Sequence, residues 1–200
     1  MKEMPASTLA ILAGGEGARM GKPKALLTLG GRPILDYLLD RLAWPGPTLL
    51  VTAPGRERPP GWNRFTRELV DPAAGGGPLR GVLTALEHLE SPLLIVLTVD
   101  MPGVRPEQLQ WMLARLSESP DELGLMIRRP AAGGFQIEPF PLALTAGARP
   151  AIAARLMARR RSVHGLLEER GFSAVAPPPD WEEGVWENLN FPQDLGWFDR

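Results

Sequence analysis

The sequence predicts a three-layer α/β/α fold, in which helices cover both faces of a mostly parallel β-sheet. Short apolar runs alternate with longer amphipathic segments along most of the chain, and this order is typical of that architecture. Residues 93–99 form the strongest run, and their apolar side chains are continuous instead of alternating with polar ones. Continuous apolarity is typical of a strand that is buried on both faces of a parallel sheet.

The same periodicities predict the remaining elements. Apolar or β-branched runs predict strands at residues 9–12, 48–52, 67–70 and 123–127, and an edge strand at 172–176. Amphipathic segments predict helices at residues 32–42, 82–89, 106–116 and 163–170. Residues 133–141 predict a strand or loop over the site, and the following helix formers, 142–161, are interrupted at Pro150.

Composition limits the class of protein. The 200 residues, of which 44% are hydrophobic, are enough for a single domain over residues 1–200. A net charge of −1 gives no sign of binding to nucleic acid or to a membrane surface. The sequence has no cysteine and only two histidines, which excludes disulfides, cysteine nucleophiles and multi-histidine metal sites. It shows no signal-peptide pattern and no apolar run of membrane-spanning length, so we expect a cytoplasmic protein.

The stretch at residues 12–24 follows the first predicted strand and is rich in glycine. Its glycines allow backbone N–H groups to converge on an anion, and Arg19 and Lys24 add two positive charges. The stretch has neither the spacing of a Walker A loop nor that of a G-x-G-x-x-G motif. Its glycines alone would equally suit a tight turn between a strand and a helix. Such a turn does not need two cations, so the combination predicts a triphosphate site.

Two aspartates follow predicted strands. Asp100 ends the strongest strand, at the edge where ligands bind in open parallel sheets, and a carboxylate beside a triphosphate is a suitable Mg²⁺ ligand. The alternative role for Asp100 is to cap the helix that follows. Asp71 precedes the glycine run at residues 75–77, whose main chain could hydrogen-bond the edge of a flat base. Taken alone, that run would be a flexible connector.

Three blocks in the first loop carry a family resemblance. They are Leu12-Ala13-Gly14-Gly15, Arg19-Met20-Gly21 and Lys24-Ala25-Leu26-Leu27. Together they closely resemble the signature of the molybdenum cofactor guanylyltransferase family. The resemblance continues at residues 77–81 (Gly-Pro-Leu-Arg-Gly), 99–102 (Val-Asp-Met-Pro) and 188–194 (Asn-Leu-Asn-Phe-Pro-Gln-Asp), so it spans nearly the whole chain.

The resemblance implies a fold and an activity. The fold is the Rossmann-like α/β/α fold of nucleotidyltransferases, with residues 1–100 mainly binding the nucleotide and residues 101–200 mainly binding the acceptor. The activity is transfer of GMP from GTP to molybdopterin with release of pyrophosphate, and Mg²⁺ is the implied cofactor. Transient contacts with molybdoenzymes or with other proteins of cofactor biosynthesis are also implied.

Each residue that matches the family pattern receives an implied role. Arg19, Lys24 and Asp100 would be catalytic, and Asp100 would also hold the metal. Asn188 and Asn190 would bind the acceptor. The implied nucleotide-binding residues are Leu12, Ala13, Gly14, Gly15, Lys24, Asp71, Gly77, Pro78, Leu79, Gly81 and Asp100.

Two other functions stay open. Gly14 separates this chain from the cytidylyl relatives, which carry Leu-Ala-Ala-Gly, whereas Pro23 before Lys24 is more similar to the cytidylyl and sugar-phosphate enzymes. The second hypothesis is therefore a related nucleotidyltransferase that uses CTP or another phosphorylated acceptor. The third is a non-catalytic GTP-binding adaptor. Two roles are also open for the arginines at 155 and 159–161, namely a solvated helix face, which we prefer, or a phosphate clamp for the acceptor.

Overall fold

The computed structural model describes residues 6–15, 21–72, 75–131, 133–181, 183–186, 188–191 and 194. Its strands are β1 (Ser7–Leu12), β2 (Thr28–Leu29), β3 (Arg32–Pro33), β4 (Thr48–Thr52), β5 (Arg67–Val70), β6 (Leu93–Thr98), β7 (Gly124–Ala131), β8 (Gly134–Thr145) and β9 (Phe172–Val175). Its α-helices are α1 (Ile34–Leu42), α2 (Pro78–Glu87), α3 (Pro106–Ser117) and α4 (Arg149–Met157). None of the helices in these ranges is both long and apolar enough to cross a membrane.

Within the described ranges, seven strands form the central sheet, in the order β5-β4-β1-β6-β8-β7-β9. The first four of these strands are parallel to one another. β8 is antiparallel to both of its neighbours, and β9 pairs in parallel with β7 at the far edge. The predicted mostly parallel sheet is confirmed, with β8 as its reversed strand, and the edge position predicted for β9 is also confirmed.

The core is centred on the pairing of β1 with β6. The two strands run in register from Ser7 opposite Leu93 to Leu12 opposite Thr98, and all of β1 is buried. Helix α2 packs on β1 and β4, and α3 packs on β6 and β8. Because β1, β4, β5 and β6 are parallel, their carboxyl ends meet at one edge of the sheet, which is where a ligand cleft forms in such folds.

Helix α1 begins two residues later than predicted. Residues 32 and 33 pair with β2 in a small hairpin, so they are not available to the helix. Gly30 and Gly31 form the turn between the two strands with φ angles of 55° and 72°. A two-residue hairpin turn with positive φ at both positions is readily formed by two glycines.

The prediction of helix formers across residues 142–161 is wrong at its beginning. Leu142 to Thr145 continue β8 and pair with β6, and Leu142, Ala143 and Leu144 are fully buried there. Long-range strand pairing overrides the helical tendency of these residues. Pro150 does not interrupt a helix but lies in the first turn of α4, where a missing N–H costs nothing.

The arginine cluster at the end of α4 is not uniformly solvated, which corrects our preferred interpretation for one of its members. Arg155 is buried, and its guanidinium donates to Glu169 at 2.7 Å and to Glu168 at 3.2 Å. Arg159, Arg160 and Arg161 are exposed, as expected. Arg155 therefore joins α4 to the 3₁₀ turn at His164–Glu168, which is a structural role.

Candidate functional site

A cleft of about 570 Å³ opens at the carboxyl edge of the parallel strands. Residues that follow β1, β4, β5 and β6 line it, together with the glycine run before α2. The predicted residues Leu12, Gly14, Gly15, Lys24, Asp71, Gly77, Pro78, Gly81 and Asp100 all line this one cleft. Arg19, the remaining predicted catalytic residue, lies outside the residues that the structure describes.

An ion pair between Lys24 and Asp100 lies in the cleft. The Lys24 Nζ atom is 2.6 Å from Asp100 Oδ2, and each side chain keeps less than a fifth of its surface exposed. Lys24 begins the 3₁₀ turn at Lys24–Leu26, whereas Asp100 follows β6. The topology of the sheet therefore brings together two groups that are 76 positions apart in the sequence.

The second carboxylate oxygen of Asp100 is also informative. Asp100 Oδ1 is buried and has no hydrogen-bond partner among the described residues. A buried, unpartnered carboxylate oxygen is unfavourable unless a ligand satisfies it. The described residues contain no group of three or more acidic or histidine side chains that could form a metal cage. One carboxylate nevertheless fits Mg²⁺, because phosphate oxygens and water can complete its coordination.

The last described residues complete the surroundings of Lys24. Lys24 Nζ donates to Asn190 Oδ1 at 3.2 Å, and the Leu189 N–H donates to the Asp100 carbonyl at 2.8 Å. Asp194 Oδ2 accepts from the backbone N–H groups of Asn190 and Phe191 at 2.7 and 2.8 Å. Asn190 therefore holds the lysine, a contact that the predicted acceptor-binding role did not include.

An ammonium group has three N–H donors. Two of the three N–H donors of Lys24 bind Asp100 and Asn190, and Lys24 makes no other hydrogen bond within the described ranges. The third donor is left for a ligand oxygen. Asn188 contributes its backbone carbonyl, which accepts from Asn190 Nδ2 at 3.3 Å.

Asp71 lies across the cleft from this pair, directly after β5. Its N–H donates to the Thr52 carbonyl at 2.9 Å, and its Oδ1 accepts from the Thr84 hydroxyl at 2.5 Å. Burial raises the pKa of Asp71, while the Thr84 hydrogen bond and the charge of Arg80 lower it and the charge of Glu87 raises it. Burial is the largest of these effects, so the pKa lies above its usual value.

Close packing explains two of the glycines at the cleft. A Cβ atom on Gly81 would approach the side chain of Leu12 to 3.1 Å, and one on Gly14 would approach the Ala53 nitrogen to 3.3 Å. Gly77 has a φ of 72° and immediately precedes α2, so a side chain there would be strained. Gly14 and Gly81 are therefore favoured by close packing, and Gly77 by its backbone conformation.

Two predicted nucleotide-binding residues do not line the cleft. The Ala13 N–H donates to the Val51 carbonyl at 2.8 Å, so that donor is used between strands. Leu79 is fully buried in the core. Three residues at the site were not predicted from the sequence: Ala53 and Arg56, which line the cleft, and Thr84, which contacts Asp71. Thr84 is the one with a recognisable signal, because it is a polar residue within an otherwise apolar stretch of α2.

Replacing Asp71 with asparagine is expected to raise the thermal unfolding temperature at neutral pH. The pKa of Asp71 in the folded protein is raised above the ordinary value of 3.8. The folded protein therefore loses stability as the pH rises from that ordinary value through the folded-state pKa, and a neutral amide avoids this loss. The amide oxygen still accepts from Thr84. Thermal unfolding followed by circular dichroism should show that the unfolding temperatures of the variant and the wild type converge as the pH falls to 4 or below. A variant that is less stable than the wild type at neutral pH would contradict the expectation.

Comparison with known proteins shows that the chain is similar to nucleotidyltransferases. The molybdenum cofactor guanylyltransferase of Cereibacter sphaeroides is 32% identical over 192 residues, which cover 92% of this chain and 91% of that protein. A probable molybdenum cofactor guanylyltransferase of Nostoc sp. is 29% identical over 189 residues, covering 94% and 88%. The crystal structure of molybdopterin-guanine dinucleotide biosynthesis protein A from Archaeoglobus fulgidus has the same fold, with a TM-score of 0.79, 22% identity and 96% of both chains covered.

Residues 9–174 match the family of MobA-like NTP transferase domains. This range contains all seven strands of the central sheet except the beginning of β1 and the end of β9, and it contains Lys24, Asp71 and Asp100. The chain is therefore a nucleotidyltransferase and belongs to the family of MobA-like NTP transferase domains.

Proposed function

We propose that the protein transfers GMP from GTP to the terminal phosphate of molybdopterin and releases pyrophosphate. The observation that supports this proposal most strongly is the Lys24–Asp100 pair in a glycine-lined cleft, with one buried Asp100 oxygen left unpartnered. A cation and a carboxylate side by side suit a ligand that carries both phosphate charge and a divalent metal. The guanylyltransferase names of the relatives from Cereibacter and Nostoc agree with this activity.

The reaction is an in-line displacement at phosphorus. An oxygen of the molybdopterin phosphate forms a bond to the α-phosphorus of GTP, and the bond between that phosphorus and the bridging α–β oxygen breaks. Pyrophosphate leaves with the electron pair. The attacking phosphate is already anionic near neutral pH, so the reaction needs no side chain to remove a proton. Catalysis then depends on positioning and on charge stabilisation.

Lys24 and the first loop would provide most of that stabilisation. The remaining N–H donor of Lys24 would bind an α-phosphoryl oxygen, where negative charge develops in the transition state. The N–H groups around Gly14 and Gly15 and the side chain of Arg19 would bind the departing pyrophosphate. Asn190 would keep the ammonium group directed into the cleft.

Asp100 is the residue that would hold Mg²⁺, through the oxygen that Lys24 does not occupy. When bound, Mg²⁺ neutralises charge on the phosphate oxygens and fixes their orientation. The Lys24 contact keeps the Asp100 carboxylate in one orientation. The residues that are present therefore fit the proposed cofactor.

The glycine run before α2 would select the base. Gly75, Gly76 and Gly77 line the cleft, and main-chain groups there could pair with the donor and acceptor edge of guanine. Arg161 from the second half of the chain donates to the Gly75 carbonyl at 2.9 Å. This contact supports the loop from outside the cleft, so Arg161 does not need to act as a phosphate clamp.

Pyrophosphate release tests the proposed activity. We expect release from GTP only when molybdopterin is present, and much slower release from ATP, CTP or UTP. Each nucleotide should be assayed with and without the acceptor, at equal Mg²⁺ concentration. Preference for CTP would instead establish the cytidylyl alternative. Tight GTP binding without any pyrophosphate release would establish the adaptor alternative.

A further inference from the structure

A buried hydroxyl on α2 contacts the cleft carboxylate of Asp71. Thr84 is only 2% exposed, and its Oγ1 lies 2.5 Å from Asp71 Oδ1. A short hydrogen bond from a neutral donor to a carboxylate is among the stronger protein hydrogen bonds. No hydrogen bond from the described residues reaches the other oxygen of Asp71. One oxygen is thus held by the protein, and the other is left for a ligand.

The direction of this hydrogen bond is set by a third residue. Arg80 Nε lies 3.3 Å from Thr84 Oγ1, and an arginine can only donate. The hydroxyl therefore accepts from Arg80, which leaves its single proton for Asp71. Arg80 is itself held by an ion pair with Glu87 at 2.5 Å. Glu87, Arg80, Thr84 and Asp71 form one continuous chain of hydrogen bonds, which we call the α2 relay.

We propose that Thr84 is a positioning residue for nucleotide binding, because the α2 relay holds the Asp71 carboxylate directed into the cleft. The inference rests on the proposed function in one respect, namely that a nucleotide occupies the cleft. Without the Thr84 hydroxyl, Asp71 would have Arg80 as its nearest charged partner on α2. The carboxylate would then turn from the cleft towards that guanidinium, and the ligand would lose an acceptor.

Substitutions at residue 84 test the relay. Thr84→Val keeps the size and β-branched shape of threonine and removes only the hydroxyl, whereas Thr84→Ser keeps the hydroxyl. We expect Thr84→Val to weaken GTP binding about tenfold, as for loss of a hydrogen bond to a charged group, and Thr84→Ser to restore most of the affinity. Affinity is measured by isothermal titration of the full-length protein with GTP in the presence of Mg²⁺.

A matched control separates positioning from general loss of a buried hydroxyl. Thr8 is also 2% exposed, and its hydroxyl lies 2.9 Å from that of Ser91 near the opposite edge of the sheet. Thr8→Val should leave GTP affinity unchanged. If Thr8→Val weakens binding as much as Thr84→Val does, the relay is not the cause and the inference is overturned.

A double-mutant cycle with Asp71→Ala tests whether Thr84 acts through Asp71. Thr84→Val should weaken GTP binding in the wild-type background but have little further effect once the Asp71 carboxylate is absent. Equal affinity of Thr84→Val and the wild type, with both binding GTP, would overturn the relay and leave the proposed function intact. Failure of the wild-type protein to bind any nucleotide would instead overturn the proposed function, and the relay with it.

The pH dependence of GTP binding gives an independent readout. The charged groups around Asp71 are Arg80 and Glu87 on α2, and Lys24, Arg56 and Asp100 line the same cleft. The Thr84 hydrogen bond lowers the pKa of Asp71, so its removal should raise that pKa. Binding to Thr84→Val should therefore weaken at a higher pH than binding to the wild type as the solution is acidified. Coincident pH profiles would overturn the relay.

Discussion

Replacing Asp100 with alanine should lower the turnover of GTP by about 10²- to 10³-fold while the protein remains folded. The substitution removes the buried oxygen that would hold Mg²⁺ and the partner of Lys24 at the same time. Turnover is measured as pyrophosphate release at saturating GTP, molybdopterin and Mg²⁺, and the fold is checked by circular dichroism.

Two further variants sharpen this prediction. Asp100→Asn keeps the shape of the side chain and an oxygen that can accept from Lys24, but it removes the charge, so it should remain nearly as inactive as Asp100→Ala. Asp121→Ala changes an exposed aspartate between α3 and β7 and should retain wild-type turnover. Near-wild-type activity of purified, folded Asp100→Asn would contradict a metal-binding role.

Replacing Lys24 with alanine is expected to have an effect of the same order, about 10²- to 10³-fold on turnover. Lys24 Nζ lies 2.6 Å from Asp100 Oδ2, and Lys24 lines the cleft with one N–H donor that no described residue uses. Because that charge matters most when the α-phosphoryl oxygens become more negative, the loss should fall mainly on kcat, with a smaller change in KM. Steady-state kinetics with varied GTP separates the two parameters.

Lys22→Ala is the matched control for Lys24→Ala. Lys22 is exposed, carries the same charge and lies only two residues away. The Lys22→Ala variant should retain most of the activity, because the effect at residue 24 depends on the contacts with Asp100 and Asn190 and not on net charge. The double variant Lys24→Ala/Asp100→Ala should be little worse than either single variant, since the two groups act as a unit. If the fold-loss of turnover in the double variant equals the product of the two single losses, Lys24 and Asp100 act independently.

The parallel part of the sheet and the meeting of Lys24 with Asp100 could both be predicted from sequence. Continuous apolar runs identify buried parallel strands, and the carboxyl ends of such strands share one edge. A cation in the loop after β1 and a carboxylate directly after β6 must therefore lie near each other once β1 and β6 are adjacent. The periodicity of the strands and the topology of the sheet were sufficient to place Lys24 near Asp100, because this prediction does not depend on the conformation of either side chain.

The contacts that hold the two charged residues could not be predicted in the same way. The lysine–asparagine contact joins positions 166 apart, and the relay from Thr84 to Asp71 depends on where α2 lies against the end of β5. Local propensity also failed at Leu142–Thr145, because pairing with β6 decides their conformation. In each case the deciding contact is made with a residue of another element, whose position the periodicity of a single segment does not give.

Binding of GTP with and without Mg²⁺ tests most directly whether the Lys24–Asp100 cleft is the nucleotide site. Isothermal titration should show that Mg²⁺ tightens GTP binding to the wild type, that CTP binds more weakly, and that Asp100→Ala abolishes the dependence on Mg²⁺. GTP affinity that is the same with and without Mg²⁺, and unchanged in both Lys24→Ala and Asp100→Ala, would show that the nucleotide binds elsewhere.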